Sequence, residues 1–250
     1  MMRSLLVLLL LTAGATAASA DTIKVLTTGA FKPAAQDIIA GFERQTGHKV
    51  TLINDTAGAL SRRVAGGEKF DVLVLTQEGL EALVGSKKLD DISITPLAKV
   101  GIGVAVPLSA PQPNISNVEG FRRTLLAAHA VAYMDPGAGA SSGIYLAKLF
   151  RSMGIASEIA KKAVLVRGGL SAEQVARGEA DIALQQASEL KLVPSVRFAG
   201  MIPEQVQNYT TYSGALSADT GALQAATALL AAFSDPSADA ILKRRGLEMP

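Results

Sequence analysis

Short runs of β-branched and aliphatic residues alternate along the chain with stretches whose apolar positions recur every three to four residues. Thr22–Thr27 (TIKVLT) reads as a first strand, followed by the turn Thr28-Gly29-Ala30-Phe31. Pro33 stands where a helix begins, because a first-turn proline lacks only an N–H that has no helical partner anyway. Ala34, Ile38, Ile39 and Phe42 then recur at helical spacing, and Gly47 marks the stop. Lys49–Ile53 reads as a second strand and Gly58–Ala65 as a helix stopped by Gly66-Gly67. Phe70–Leu75 follows as a third strand and Glu78–Val84 as a short helix. This alternation predicts parallel βαβ units.

A break comes at Val100–Val106 (VGIGVAV), after which Pro107, Pro111 and Pro113 mark a loop-rich passage. A second α/β set is expected beyond it. Its helices are 118–127, 142–153 and 171–178, and its strands 130–134, 163–166 and 181–185. The tail after about Met201 is polar until two helical patterns, 220–233 and 237–245, the latter stopped by Gly246. No repeat at a fixed period and no low-complexity linker interrupts the two sets. Two lobes around a cleft are therefore expected, with 21–100 plus 205–250 in one and 101–204 in the other.

The N-terminus follows a different pattern. Met1-Met2-Arg3-Ser4 is a short positive region, residues 5–11 are leucine and valine only, and small residues lead to Ala18-Ser19-Ala20 before Asp21. These are the three parts of a secretory signal with an A-x-A cleavage site. The apolar run is well short of the ~20 residues that span a bilayer. The reading is export to the periplasm with cleavage after Ala20.

Composition narrows the chemistry. The 250 residues include 24 Lys+Arg against 22 Asp+Glu, a formal charge of +2, far from the basic excess that neutralises phosphates. With no tryptophan and 4% aromatic residues, stacking platforms for bases are few, and no nucleic-acid partner is expected. The absence of cysteine excludes disulfides, thiolate ligands and a cysteine nucleophile. The two histidines, His48 and His129, cannot build a His-rich metal site. No metal and no cofactor are expected.

Gly139-Ala140-Ser141-Ser142-Gly143 matches G-x-S-x-G, the nucleophile elbow of α/β-hydrolases. Four residues separate the preceding strand from the glycine, and both histidines lie upstream of the serine, where the hydrolase order requires one downstream. A hydrolase using Ser141 is thus a distant alternative. The same segment reads better as an anion cradle, in which glycines admit a ligand to the backbone and a helix N-terminus favours negative charge. Ser141 or Ser142 would cap that helix. Thr27-Thr28-Gly29-Ala30, Asp55-Thr56-Ala57-Gly58-Ala59 and Arg167-Gly168-Gly169 share its grammar. All four follow predicted strand ends, where open α/β sheets bind ligands. Arg62-Arg63 and Lys243-Arg244-Arg245 read as solvated faces.

The opening strand–turn–helix ending in Ala35-Gln36-Asp37-Ile38 and the stretch from Ser61 to Val72 (SRRVAGGEKFDV) resemble the molybdate-binding proteins of bacterial uptake systems. Asp135-Pro136 with Gly143-Ile144-Tyr145, and the close Ile241-Leu242-Lys243-Arg244-Arg245-Gly246, extend the likeness over the chain beyond the signal. The resemblance implies the type II periplasmic solute-binding fold: α/β, two lobes, each a mixed sheet flanked by helices, with a ligand cleft between. It also implies a monomer without enzymatic activity that binds a small anion and docks on the membrane permease of an ABC transporter.

The ligand-binding set carried over is Thr28, Gly29, Ala30, Ala57, Gly58, Ser141, Ser142 and Gln186, with Arg167 added from its own place at a strand end. Ala30 stands where the family has a serine hydroxyl, residues 56–59 where it has a serine-rich loop, and Gln186 near its tyrosine. The family ligand is molybdate or tungstate. The residues themselves lean to a di- or tricarboxylate, which the Arg167 fork would grip by two parallel hydrogen bonds. The sequence fits uptake and sensing alike.

Overall fold

A computed structural model describes residues 20–250. The export signal expected from the sequence therefore lies, apart from Ala20, outside the described residues. Ten strands among the described residues form two sheets. The first contains β1 (Thr22–Thr28), β2 (Lys49–Asp55), β3 (Val72–Thr76), β4 (Thr95–Val100) and, returning last, β10 (Thr210–Leu216), in the order β2-β1-β3-β10-β4. The second contains β5 (Ile102–Pro107), β6 (Val131–Met134), β7 (Ala163–Val166), β8 (Ile182–Gln186) and β9 (Val196–Met201), in the order β7-β6-β8-β5-β9.

Both sheets follow one plan. Three strands run parallel, and an antiparallel strand lies between the third and the far edge. In the first sheet that strand is β10, in the second β5. The chain passes from one sheet to the other between β4 and β5, where Gly101 alone intervenes, and returns between β9 and β10.

Strand side chains alternate between faces, so a strand covered on both sides reads as a continuous apolar run. In the first sheet Ile23, Val25, Val72 and Val74 join one buried cluster, and Leu26, Leu73 and Leu75 the cluster behind it. The second sheet sends Ile102, Val104, Val131, Tyr133, Ile182 and Leu184 to one side. To the other, the edge strand β9 sends Val196, and the central strands β5, β6 and β8 send the alanines Ala105, Ala132 and Ala183. Those small residues let a helix lie close on the sheet.

The helices are α1 (Lys32–Thr46), α2 (Ala57–Ala65), α3 (Gln77–Glu81), α4 (Val118–Ala127), α5 (Ser141–Ser152), α6 (Ala156–Ala160), α7 (Ala172–Ala176), α8 (Ala187–Leu190), α9 (Leu223–Ser234) and α10 (Asp239–Arg244). Helix α1 has Pro33 in its first turn and ends at Gly47 with φ 78°, as its sequence predicts. It buries Ile38, Ile39 and Phe42, and Phe31 just before it meets Phe233 of α9 edge-on at 5.4 Å. Truncating Phe233, which is fully buried, would cost about 3–5 kcal/mol.

Three strands escape the sequence pattern. β4, β9 and β10 lie where the sequence suggested no element, and the supposed break at 100–106 contains most of β5. The reason is clearest in β10: Thr210 and Ser213 are buried polar residues in mid-sheet, so the strand has no apolar run. The basic pairs also differ from expectation. Arg63 holds Glu68 through Nε at 2.5 Å and Nη2 at 2.8 Å, and Arg245 grips Asp37 through two hydrogen bonds of 2.9 and 2.8 Å. These forks tie α2 to the loop after it and the C-terminal segment to α1.

Candidate functional site

The C-terminal ends of β1, β2, β6 and β8 open on a cleft of about 480 Å³ between the lobes. Three helices of eight residues or more begin at its wall: α1 with Thr28, Gly29, Ala30 and Lys32, α2 with Thr56 and Ala57, and α5 with Ala140, Ser141 and Ser142. The first amides of a helix have no intrahelical acceptor and carry its positive dipole end. In α2 the N–H of Ala59 is taken by Thr56 Oγ1 and that of Gly58 by the Gly139 carbonyl, which leaves the N–H of Ala57 for a ligand.

Helix α5 can reach the cleft only because of a glycine. A Cβ on Gly143 would stand 2.2 Å from the carbonyl oxygen of Met134, so the helix packs with its backbone directly on the end of β6. The motif glycine is thus a packing requirement. Ser141 and Ser142 do not cap the helix as expected; Ala140 occupies the cap position, and both serines sit in the first turn and line the cleft.

Beneath Ser141 lies a polar network shared by both sheets. Tyr212 of β10 places its hydroxyl 3.3 Å from Ser141 Oγ, and Gln186 Nε2 lies 3.1 Å from Thr210 Oγ1 and 3.3 Å from the Tyr212 hydroxyl. Burial and the nearby Glu189 carboxylate push the Tyr212 phenol well above its ordinary range, so it stays a neutral donor. Thr28 Oγ1 and Gln186 Oε1 are buried with no hydrogen-bond partner among the described residues. A buried orphan of this kind costs ~1–3 kcal/mol until something pairs with it.

Electrostatics favour an anion. Asp55 and Glu173 line the cleft, but each has an arginine partner, Arg63 at 3.3 Å and Arg177 at 3.8 Å. Lys32 lines it with no ion pair among the described residues. Glu189 of α8 also lines it, half-buried, and desolvation pushes its carboxyl up to about 8. At neutral pH that group is mostly uncharged, leaving Lys32 and three helix ends to set the sign.

Of the residues expected from the sequence, Thr28, Gly29, Ala30, Ala57, Ser141 and Ser142 meet at the cleft. Gly58 lies at the contact between lobes, and Gln186 sits one layer below. Arg167 does not join them: its side chain is 88% exposed and its Nε lies 3.2 Å from Asp135 Oδ2. The strand end faces the cleft through Gly168 and Gly169 instead, because Gln185 pins that loop by accepting from Ser171 N at 2.7 Å and donating to Gly169 O. The sequence reading missed Lys32, Gln185, Glu189 and Tyr212. Tyr212 lay in a tail without apolar pattern; Glu189 follows strand 181–185 by one helical turn, a placement that could have been noticed. Ser141 has no histidine near it. His48 stacks on Phe42 at 5.9 Å, and the backbone N–H of His129 bonds Asp181.

The profile of the bacterial extracellular solute-binding protein family matches residues 23–248. A protein from a Pseudomonas species named aconitate isomerase is 34% identical over 233 residues, 91% of this chain and 87% of that protein. The periplasmic molybdate-binding protein of Azotobacter vinelandii superposes with a TM-score of 0.77 at 18% identity, covering 91% of this chain and 99% of that one. The sulfate-binding protein SubI of Mycobacterium tuberculosis does so with a TM-score of 0.70 at 17% identity, over 92% and 87%. With two sheets of one plan closing on a cleft of helix N-termini, the chain belongs to the bacterial extracellular solute-binding protein family and has the two-lobed fold of type II periplasmic binding proteins.

Proposed function

We propose that this protein, exported to the periplasm and cleaved after Ala20, captures a small polycarboxylate of the aconitate class between its lobes. The observation that carries this reading is the cleft itself. It combines about 480 Å³ with three helix N-termini and, without partners among the described residues, the Lys32 ammonium and the Thr28 hydroxyl. Its volume falls within the range of sites for organic ligands of moderate size, and is generous for a four-oxygen oxyanion. The dispersed donors suit several carboxylate groups spread over a carbon skeleton. The 34% identical relative bears the name of an enzyme acting on aconitate, which supports the same class.

Capture would work by closure. A ligand touching both lobes stabilises only the closed form, and that differential contact is what shifts the population. A monomer that hands its ligand to a membrane permease is the transport role we assign, with no nucleic-acid partner. Retention of the ligand for turnover is a second reading, favoured by the relative's name and by a carboxyl in the cleft, Glu189.

The test is a thermal-shift and calorimetric panel of the cis and trans propene tricarboxylates, citrate and succinate against molybdate, tungstate and sulfate. A ligand at ~100 times its dissociation constant adds about 2.7 kcal/mol, several degrees of midpoint. Tricarboxylates should raise the midpoint and oxyanions should not. A response to molybdate or tungstate alone would replace the carboxylate reading with the oxyanion one.

A further inference from the structure

Glu189 is out of place in a cleft built only to hold an anion. Its carboxyl lies over the turn between β1 and α1, so close that a Cβ on Gly29 would stand 2.5 Å from Oε1. Only a glycine at 29 lets the carboxyl occupy that position. It forms no ion pair among the described residues, and the groups around it are Gln185, the neutral Tyr212 hydroxyl and the cleft. In its ionised form that carboxyl would repel an anionic ligand, and in its protonated form it brings a transferable proton against it. A proton acceptor placed against the ligand's carbon skeleton explains it better than a binding group does.

Resting on the reading that a polycarboxylate fills the cleft, we infer that Glu189 transfers a proton to and from carbon in an unsaturated polycarboxylate, moving its double bond. The substrate class is a propene carrying a carboxylate on each carbon. Its CH2 hydrogen is acidified by the adjacent carboxylate and by the double bond. Glu189 takes that proton as the C–H electron pair becomes a new C=C bond to the central carbon. The original π pair shifts to the far carbon, where the neighbouring carboxylate delocalises it, and Glu189 returns the proton there. Bonds and charges balance with no oxidant, water or cofactor. The geometry adopted by the new double bond decides whether the product is cis or trans.

The surroundings fit each demand of that step. Lys32 and the α1, α2 and α5 N-termini would stabilise negative charge as it spreads onto the carboxylates. The carboxyl, raised to about 8, is a base near ambient pH, where a group can both take and return a proton.

The experiment follows the purified protein with the cis and the trans tricarboxylate in deuterated buffer by proton NMR, with calorimetric binding measured in parallel. Deuterium should enter the substrate's carbon positions and the two isomers should interconvert. Glu189→Gln should lower both rates at least 100-fold while affinity stays within a few-fold. Glu189→Asp, which keeps the acid but shortens its reach, should retain an intermediate rate and serves if the glutamine variant fails to fold. Tight binding without exchange by the parent protein would overturn the inference and leave capture standing. Failure to bind either isomer would instead remove the polycarboxylate reading. Exchange unchanged in Glu189→Gln, or in Glu189→Asp should that be the variant that folds, would take the proton transfer away from this residue.

Discussion

Gly58 and Gly139 meet backbone to backbone across the mouth of the cleft. The N–H of Gly58 donates to the carbonyl of Gly139 at 3.0 Å, and the neighbouring Thr56 Oγ1 donates to the carbonyl of Ala138 at 2.7 Å. A Cβ on Gly58 would come within 2.9 Å of the Gly139 Cα, and one on Gly139 within 2.8 Å of the Gly58 Cα. The first lobe's α2 and the loop before α5 can close on each other only because neither carries a side chain here.

Gly58→Ala therefore separates closure from folding. Alanine in the first turn of α2 favours the helix by up to about 1 kcal/mol, so the midpoint without ligand should hold or rise. The lobes must nevertheless part or lose the Gly58–Gly139 bond, and affinity should fall about tenfold, ~1.4 kcal/mol. Calorimetry with small-angle scattering checks both halves. Undiminished affinity would mean that the ligand-bound state does not use this contact.

Arg167→Ala is expected to do little. An exposed ion pair is worth ~0–1 kcal/mol, and the side chain points to Asp135, outside the cleft. Stability should change by less than about 0.5 kcal/mol and affinity by less than a factor of ~2, or ~0.4 kcal/mol. A large loss of binding on titration would return Arg167 to the site.

Tyr212→Phe removes one hydroxyl from the network under Ser141. Ser141 Oγ then keeps only Gln186 Nε2, at 3.4 Å, and the Gln186 amide keeps Thr210 Oγ1 at 3.1 Å. We expect a loss of about 1 kcal/mol in urea unfolding, the ordinary net value of a hydrogen bond. A larger fall in affinity than in stability would show that the hydroxyl also reaches the ligand.

Two glutamates predict opposite pH limbs. Glu189 titrates near 8 in the native state against an ordinary 4.5, so across that range the native carboxyl keeps a proton that the unfolded chain has lost. Stability falls as pH rises through this window. Glu68, held at about 2 by hydrogen bonds from Arg63 and Lys24, does the reverse. Below 4.5 the unfolded chain takes up a proton that the native state refuses, and stability drops as pH falls toward 2. Thermal midpoints measured from pH 3 to 9 should lose the fall between about pH 4.5 and 8 in Glu189→Gln. The acid slope should shrink in Glu68→Gln, more modestly because that pair is in contact with solvent.

Gln207 shows how the two lobes share one hinge. Its side chain accepts from Ile102 N at 2.7 Å and donates to Ile102 O at 2.9 Å, bracing one crossover against the other. A Cβ on Gly101 beside it would stand 2.5 Å from Met201 Cε, so that the methionine would have to move aside. Gln207→Ala would leave both Ile102 groups without that partner, and is expected to lower stability by about 1–2 kcal/mol in urea unfolding.

What the sequence determined by itself was whatever local periodicity encodes. The apolar runs of β1 and β3, the helical spacing of α1, and the Pro33 and Gly47 boundaries were legible because each depends on neighbours in the chain. The four strand-end loops were legible too, since glycine and small polar residues at those places follow from turn and cap geometry. Tertiary structure decided the rest. Thr210 and Tyr212 gain meaning only when β10 slides between β3 and β4, a pairing made across more than a hundred residues. Arg167 and Glu189 both follow second-lobe strands, and nothing local separates an arginine drawn outward by Asp135 from a glutamate folded inward over Gly29. Which charge faces solvent and which faces a ligand is settled by the packing of two lobes, because desolvation depends on every atom nearby and not on the order of residues.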